Sequence, residues 1–342
     1  MTMNAYTPDH HTLLGAIGLA NRAPSVHNTQ PWRWLLGDAS IHLMADQTRR
    51  LSVADPDGRD LLLSCGAALH HLRIALAALG WRAIVHHIPN PSDPTHLAAV
   101  ETAQRVPSEE DITLAGAISR RRTDRRRFSS WPVPDGHLDQ MVRRCGEAGA
   151  LLVPVDDATT RRQLTRAIDR AAHLQQDDPT YIQELAAWSG RSKVAEDGVL
   201  SGSAPSARRI HGDTTMRTFP GGTLADAHTG RGEPDGGELL VLATLTDDPV
   251  SVLRAGEAAS AALLTATDLG LASCPLSQPL EIADTRALIR DQVLDSAAYP
   301  HLILRTGWLP TAAPLPPQSP RRPTDRTIDY LPGTRRPTHS ER

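Results

Sequence analysis

The sequence predicts an α+β fold with sheets flanked by helices, laid out as two related halves. Three observations predict it. Apolar stretches of helical period alternate along the chain with short strand-like runs, the mixture that packs as helices on sheets. Two of the helical stretches, "SCGAALHHLRIALAALGW" (64–81) and "RAGEAASAALLTATDLGL" (254–271), share a layout: Gly66 and Gly80 stand 14 residues apart, as do Gly256 and Gly270. Each ends in a Leu-Gly step, where glycine can take a left-handed cap conformation. Each is also followed by a strand-like run with Pro and His near its start, 94–102 and 300–307. Two such matches in the same order indicate an ancient internal duplication.

The first half, 1–108, is expected to run as a helix over 10–21, the loop "APSVHNTQPWRW" at 23–34, strands in "RWLL" and "IHLMAD", the long helix, and two further strands. The joint "RVPSEED" (105–111) leads to the second half, 109–342. There a helix is expected over 112–119, followed by the run "RRRTDRRRFSSWPVP". A helix over 135–148, the strand "ALLVPV" and helices between 159 and 188 come next. Residues 190–237 are rich in Gly, Ser, Asp and Arg without periodicity, far longer than an ordinary connection. Such a segment is a lid, a binding loop or disordered. The strand "ELLVLATL" precedes the second long helix, and a Pro/Arg-rich tail starts at 310.

At 342 residues, 40% hydrophobic and 22% charged, with a formal net charge of −3, the chain has a globular composition and enough length for a sizeable core. The near-neutral balance gives no electrostatic reason for nucleic acid or an anionic membrane as a partner. Lys193 is the only lysine. High-GC coding of the actinobacterial kind accounts for that, and it leaves planar, permanently charged arginine forks that suit phosphate. Cys65, Cys145 and Cys274 are an odd number without CxxC spacing and read as buried thiols in a reducing cytoplasm. No signal-peptide pattern is seen, and no run approaches 18 apolar residues, so no spanning helix is expected.

"RRRTDRRRF" (120–128) is the strongest charge cluster. It reads either as a solvated helix end or as a phosphate clamp, with forked guanidiniums and a hydroxyl at a turn. A second pair, Arg321 and Arg322, lies between stiffening prolines, and one phosphate could draw on both. The histidine doublets 10–11, 70–71 and 86–87 point in different directions from adjacent positions, and no HExxH or carboxylate triad joins them, so no metal is expected. GxSxG, GxGxxG and Walker patterns are missing, which removes support for an acyl hydrolase, a dinucleotide-fold dehydrogenase or a nucleoside triphosphatase. "LGLASCPLSQPL" (269–280) is either a plain connection or a stiff loop. In the second case its prolines lack donors while Ser277 and Gln278 can face a flat heterocycle.

Together these motifs resemble the nitroreductase family of flavoproteins. "RRTDRRRFSSWPVP" is similar to the family's opening Arg motif, "APSVHNTQPWRW" to its Ala-Pro-Ser…Asn-x-Gln-Pro-Trp loop, and "DLGLASCPLSQ" to its small-residue helix with a Pro-containing loop. The order departs from the family. Ordinary members carry the Arg motif before the loop in one chain and pair as dimers. Here the first half has the loop without an Arg motif, and the second half has the Arg motif without the loop. The resemblance is therefore to the fused, asymmetric Acg-type members, and it implies a nitroreductase-like pseudo-dimer in one chain with a single flavin site. It further implies FMN held by Pro24, Ser25 and Asn28 from the first half and by Arg121, Arg122, Thr123 and Arg125 from the second. Ser277 and Gln278 would stand at flavin N5 and O4, and Arg321 and Arg322 at the phosphate. NAD(P)H would be the electron donor and a nitroaromatic or quinone the acceptor, with no essential catalytic side chain. The implied setting is cytoplasmic and linked to stress or dormancy, with small molecules as partners and a monomer or homodimer as the assembly. The long 190–237 segment leaves a second reading open, a lid-covered FMN storage protein with little turnover.

Overall fold

The computed structural model describes residues 7–225, 234–310 and 313–334. Helix α1 (His10–Ala20) is capped by the Asp9 carboxylate, which accepts from the Thr12 N–H at 2.8 Å. The 23–31 loop leads into a hairpin of β1 (Trp32–Leu36) and β2 (Ser40–Ala45), and then come α2 (Arg59–Ala78), β3 (Trp81–His87) and β4 (His96–Gln104). Helix α3 (Glu109–Arg120) starts at a capping box between Ser108 and Asp111. After it follow α4 (Asp135–Glu147), β5 (Leu151–Pro154), α5 (Ala158–Gln176), α6 (Pro179–Ala187), and the short strands β6 (Arg209–His211) and β7 (Thr214–Met216). The chain continues with β8 (Glu238–Thr244), α7 (Pro249–Asp268), β9 (Ala272–Leu276), α8 (Gln278–Glu281), α9 (Ala283–Gln292), β10 (Tyr299–Gly307) and β11 (Ile328–Tyr330).

Two larger sheets form, ordered β11-β1-β2-β4-β3 and β5-β8-β10-β9. Every pairing in them is antiparallel except β11 on β1, by which the C-terminal arm joins the first half's sheet. With β11 set aside the two orders coincide. In each, the strand before the long helix lies between its predecessor and the second strand after the helix, and the first strand after the helix takes the edge. The second sheet is covered on both faces. Leu240, Leu242, Leu302 and Leu304 pack with α4 and α7, while Leu239, Val241, Ala243 and Ile303 pack with α5 and α9, as the two-residue period of a strand requires. The first sheet packs Trp32, Trp34, Leu36, Ile41, Leu43 and Val100 against α1 and α2.

The halves meet where α2 crosses α7. A Cβ built on Gly66 would lie 2.0 Å from Leu253 O and 2.9 Å from Gly256 Cα, and one built on Gly256 would lie 2.1 Å from Leu63 O and 2.9 Å from Gly66 Cα. Only glycine lets the two backbones come this close. The contact is reciprocal, as at a two-fold interface. The same spacing of 190 residues recurs at the buried hydrogen bond between His70 Nδ1 and Ser260 Oγ, 2.9 Å.

Three expectations need correction. By length and composition α2 does reach what a membrane-crossing helix needs, with mean hydropathy 1.5, and 72% of its apolar window is buried inside the protein. A count of consecutive apolar residues missed it because Ser, His and Arg interrupt the run. The 190–237 segment, read as aperiodic, contains the β6–β7 hairpin, while 226–233 lies outside the described residues. The stretch read as a stiff connection at 269–280 is the edge strand β9 running directly into α8. Pro275 is tolerated there opposite Leu304 because its missing N–H falls on a sheet edge.

Candidate functional site

The 23–31 loop is strained and heavily braced. His27, Asn28 and Gln30 have φ of 46°, 57° and 51°, left-handed values that cost non-glycine residues on the order of 1–3 kcal/mol each. Ser25 Oγ accepts from Gln30 N at 3.0 Å, Thr29 Oγ1 donates to Val26 O at 2.9 Å, and Ser64 Oγ accepts from Val26 N at 3.2 Å. The Asn28 amide donates to Gly198 O and Pro320 O at 3.1 and 3.0 Å, and its Oδ1 accepts from Arg321 at 2.9 Å. Gln30 donates to Glu196 O and accepts from Arg322 N, at 3.0 and 2.9 Å. Beyond it, Trp32 and Trp34 are fully buried, and both indole N–H groups donate to Asn21 Oδ1 at 3.0 Å. Three separate chain segments thus hold one conformation that the loop would not keep alone.

The braced loop walls a cavity of about 930 Å³, counting the space that opens to solvent, between the two halves. The first half contributes Pro24, Ser25 and His27, with Asp60, Ser64 and Ala67 from one face of α2. The second half contributes Thr123, Arg125, Ala259, Leu263 and the β9–α8 turn with Ser277 and Gln278, and the 190–225 segment adds Thr215, Met216, Arg217 and Phe219. The arginine-rich run lies along the edge of β9, with Thr123 bridging Ser273 in parallel and Asp124 N donating to Ser273 O at 2.9 Å. The period of an extended chain then sorts the side chains. Thr123 and Arg125 face the cavity, whereas Asp124 and Arg126 pair with each other at 2.6 Å. Arg125 stacks 4.8 Å over the Phe219 ring and donates to Ser203 O at 3.1 Å.

Beside the cavity lies a small recess, about 240 Å³ counting the space that opens to solvent, lined by Arg22, Ile118, Arg121, Gln318, Ser319 and Arg321. Arg121 reaches toward the cavity through Thr123 Oγ1 at 3.4 Å, and Arg321 donates to Arg22 O and Ala23 O at 2.8 and 3.0 Å. The Nε atoms of Arg22, Arg121, Arg122 and Arg321 are buried without a hydrogen-bond partner. Burial first, and then the neighbouring arginines, push Arg321 down to about 9 and Arg121 down to about 10. Four guanidiniums crowded without a carboxylate leave this recess short of negative charge.

Of the sequence-predicted residues, Pro24, Ser25, Thr123, Arg125, Ser277 and Gln278 line the cavity, and Arg121 and Arg321 line the recess. Asn28 lines neither; its side chain ties the loop to Gly198 and the C-terminal arm. Arg122 caps its own helix through Ser119 O and Arg121 O, both at 2.8 Å, with its charge near the recess. Arg322 braces the loop through Gln30 O and Trp32 O, at 3.2 and 3.4 Å. Sequence reasoning missed Arg22, Asp60, Ser64 and Arg217. The i, i+4, i+7 spacing of Asp60, Ser64 and Ala67 on an otherwise apolar helix was the available signal, and Arg217 had none.

Fold and cavity define a class of protein, an α+β chain with two sheets of matching strand order and, among the described residues, a cavity lined from both parts. No family model matches the chain. Over 333 residues, 96% of this chain and 94% of the relative, it is 44% identical to the "Putative NAD(P)H nitroreductase Rv3131" of Mycobacterium tuberculosis (strain H37Rv). Over 314 residues, 92% of this chain and 94% of the relative, it is 38% identical to the "Putative NAD(P)H nitroreductase acg" of the same strain. Among solved structures, a point mutant of the FMN- and NADPH-dependent nitroreductase NfnB, from a Sphingopyxis strain, aligns over 64% of this chain and 99% of its own, with 18% identity and a TM-score of 0.41. The chain belongs to the nitroreductase family.

Proposed function

We propose that the chain is a cytoplasmic FMN-dependent oxidoreductase that takes electrons from NAD(P)H and passes them to a nitroaromatic or quinone. On this reading its two halves descend from one duplicated ancestor, and one flavin site survives per chain. The observation that carries the reading is the carboxylate-free arginine recess at the side of a cavity of mixed polar and apolar lining. The residues fit FMN. Arg121 and Arg321, with Arg22 and Arg122, would hold its phosphate through donors that now lack partners. Pro24, Ser25, Thr123, Arg125, Ser277 and Gln278 would enclose its ring. Bound FMN supplies the two-electron chemistry. The chain orients the ligand, excludes water, and sets the Arg125 charge where negative charge develops. The matching strand orders and the reciprocal Gly66–Gly256 crossing support the duplication.

One observation favours the storage reading. Phe219 is buried at 3% exposure, and Arg217, bonded to His27 at 2.9 Å, seats the 190–225 segment over the cavity. Anaerobic mixing of flavin-loaded protein with NADH or NADPH separates the two. Bleaching within seconds is expected; a flavin that only dithionite reduces would replace the enzyme with a store.

A further inference from the structure

Asp60 lines the cavity beside Arg217, and two further buried carboxyl groups, Asp55 and Glu281, line a neighbouring recess with it. Their partners are unequal. Asp55 accepts backbone N–H groups from Asp60 and Leu61 at 3.0 and 2.8 Å. Glu281 pairs with Arg217 and accepts from Ser277 Oγ and Gln175 Nε2, both at 2.7 Å. The donors around Glu281 suit an anion, whereas burial pushes the Asp55 carboxyl up against the pull of its backbone N–H donors. Asp60 is 6% exposed, lines the cavity, and has a buried Oδ2 with no partner. The other cations within reach are committed elsewhere, Arg59 to Asp247 at 2.6 Å and Arg286 to Asp57 at 3.6 Å. A buried carboxylate without donors is costly, and adding a proton relieves most of that cost.

We propose that Asp60 carries its proton and donates a hydrogen bond from the cavity wall to the substrate, binding a nitro or quinone oxygen, a group that can only accept. This rests on the redox function proposed above and adds the residue that selects the acceptor class. Burial, followed by the charges of Asp55 and Glu281, holds the Asp60 carboxyl well above the usual carboxylate range, against the opposing pull of Arg217 and Arg59. The groups facing it are Asp55 before α2, Arg59 beside it, Glu281 on α8, Arg286 on α9, Arg217 on the 190–225 segment and Tyr181 on α6. The Tyr181 hydroxyl is also buried without a partner. It is therefore the internal alternative to a substrate, and Tyr181→Phe belongs in the test.

The experiment measures menadione binding to flavin-loaded protein by calorimetry, with the carboxylic-acid C=O stretch followed by infrared difference spectroscopy. Asp60→Asn keeps an N–H donor and should bind menadione within about 2-fold of wild type. Asp60→Leu should weaken it by about 3- to 10-fold, the range of one hydrogen bond. Wild-type affinity should fall as pH rises through the raised Asp60 pKa, with loss of the acid band, and Tyr181→Phe should leave both intact. Unchanged affinity in Asp60→Leu, equal loss in Asp60→Asn, or no acid band assignable to Asp60 at neutral pH would each overturn the proposal while leaving the flavin function standing. Wild-type protein that binds flavin but no menadione would instead overturn the acceptor reading, and this proposal with it.

Discussion

Replacing Gly66 by alanine puts a methyl group where the backbone of α7 already stands. The new carbon would sit 2.0 Å from Leu253 O, against an ordinary contact of 3.4 Å, so the helices must part by about 1.4 Å at the crossing. A gap of about 0.5–1 Å already forfeits a quarter to a half of a dispersion contact, and fully buried Ala68, Leu69, Ala258 and Ala262 flank this seam. Overpacking costs about 1–3 kcal/mol, and backbone obstacles cannot rotate away, so the upper end applies. Alanine's better helix propensity returns about 1 kcal/mol, which leaves a net loss of about 2 kcal/mol. Gly116 in α3 has nothing within 4 Å of its added Cβ, so Gly116→Ala should gain up to about 1 kcal/mol. Thermal and guanidinium unfolding followed by circular dichroism would compare Gly66→Ala, Gly256→Ala and Gly116→Ala. If the first two match or exceed wild type while Gly116→Ala gains, the reciprocal glycine crossing is refuted.

Two further outcomes follow from charge. Arg121→Leu relieves repulsion among four crowded guanidiniums, so it should raise the melting temperature of flavin-free protein at low salt. It should also weaken FMN by about 10- to 100-fold and leave riboflavin affinity unchanged, as calorimetry would record. His70, pushed down to about 4 by burial and then by Arg73, stays neutral in the fold between pH 4 and its ordinary value of 6.5. In that window the unfolded chain binds a proton that the folded chain refuses, so stability falls as pH drops and is flat above it. His70→Asn should reduce that slope by up to about 1.4 kcal/mol per pH unit in unfolding titrations from pH 7 to 4.

Much of this was legible in the sequence, because the repeat and the motifs are carried by spacing. Glycines 14 apart marked both core helices, and the apolar run "ELLVLATL" marked a strand. "APSVHNTQPWRW" and "RRTDRRRF" marked segments that the fold brings to one cavity. The rest depends on contacts between distant positions. Asn28 reads as a ligand-facing residue until Gly198 and Pro320 are seen to take both its amide N–H groups and Arg321 to bond its Oδ1. The arginines of 120–127 look alike in sequence, and only the edge of β9 assigns Arg125 to the cavity, Arg121 to the recess and Arg126 to Asp124. Arg217 sits in a segment without periodicity, so its place over the cavity follows only from packing in three dimensions. Asp60 passed as an ordinary residue of a first helical turn because its missing partner is a property of three dimensions.

The composite site makes one quantitative demand. Protein purified under native conditions and loaded to saturation should carry one FMN per chain by absorbance and by mass spectrometry of the released chromophore. The proposed site, built from Pro24 and Ser25 in one half and Arg121 and Arg125 in the other, predicts that ratio. A ratio near two would show that each half keeps its own site, and a chain that binds no FMN at any concentration would contradict the account outright.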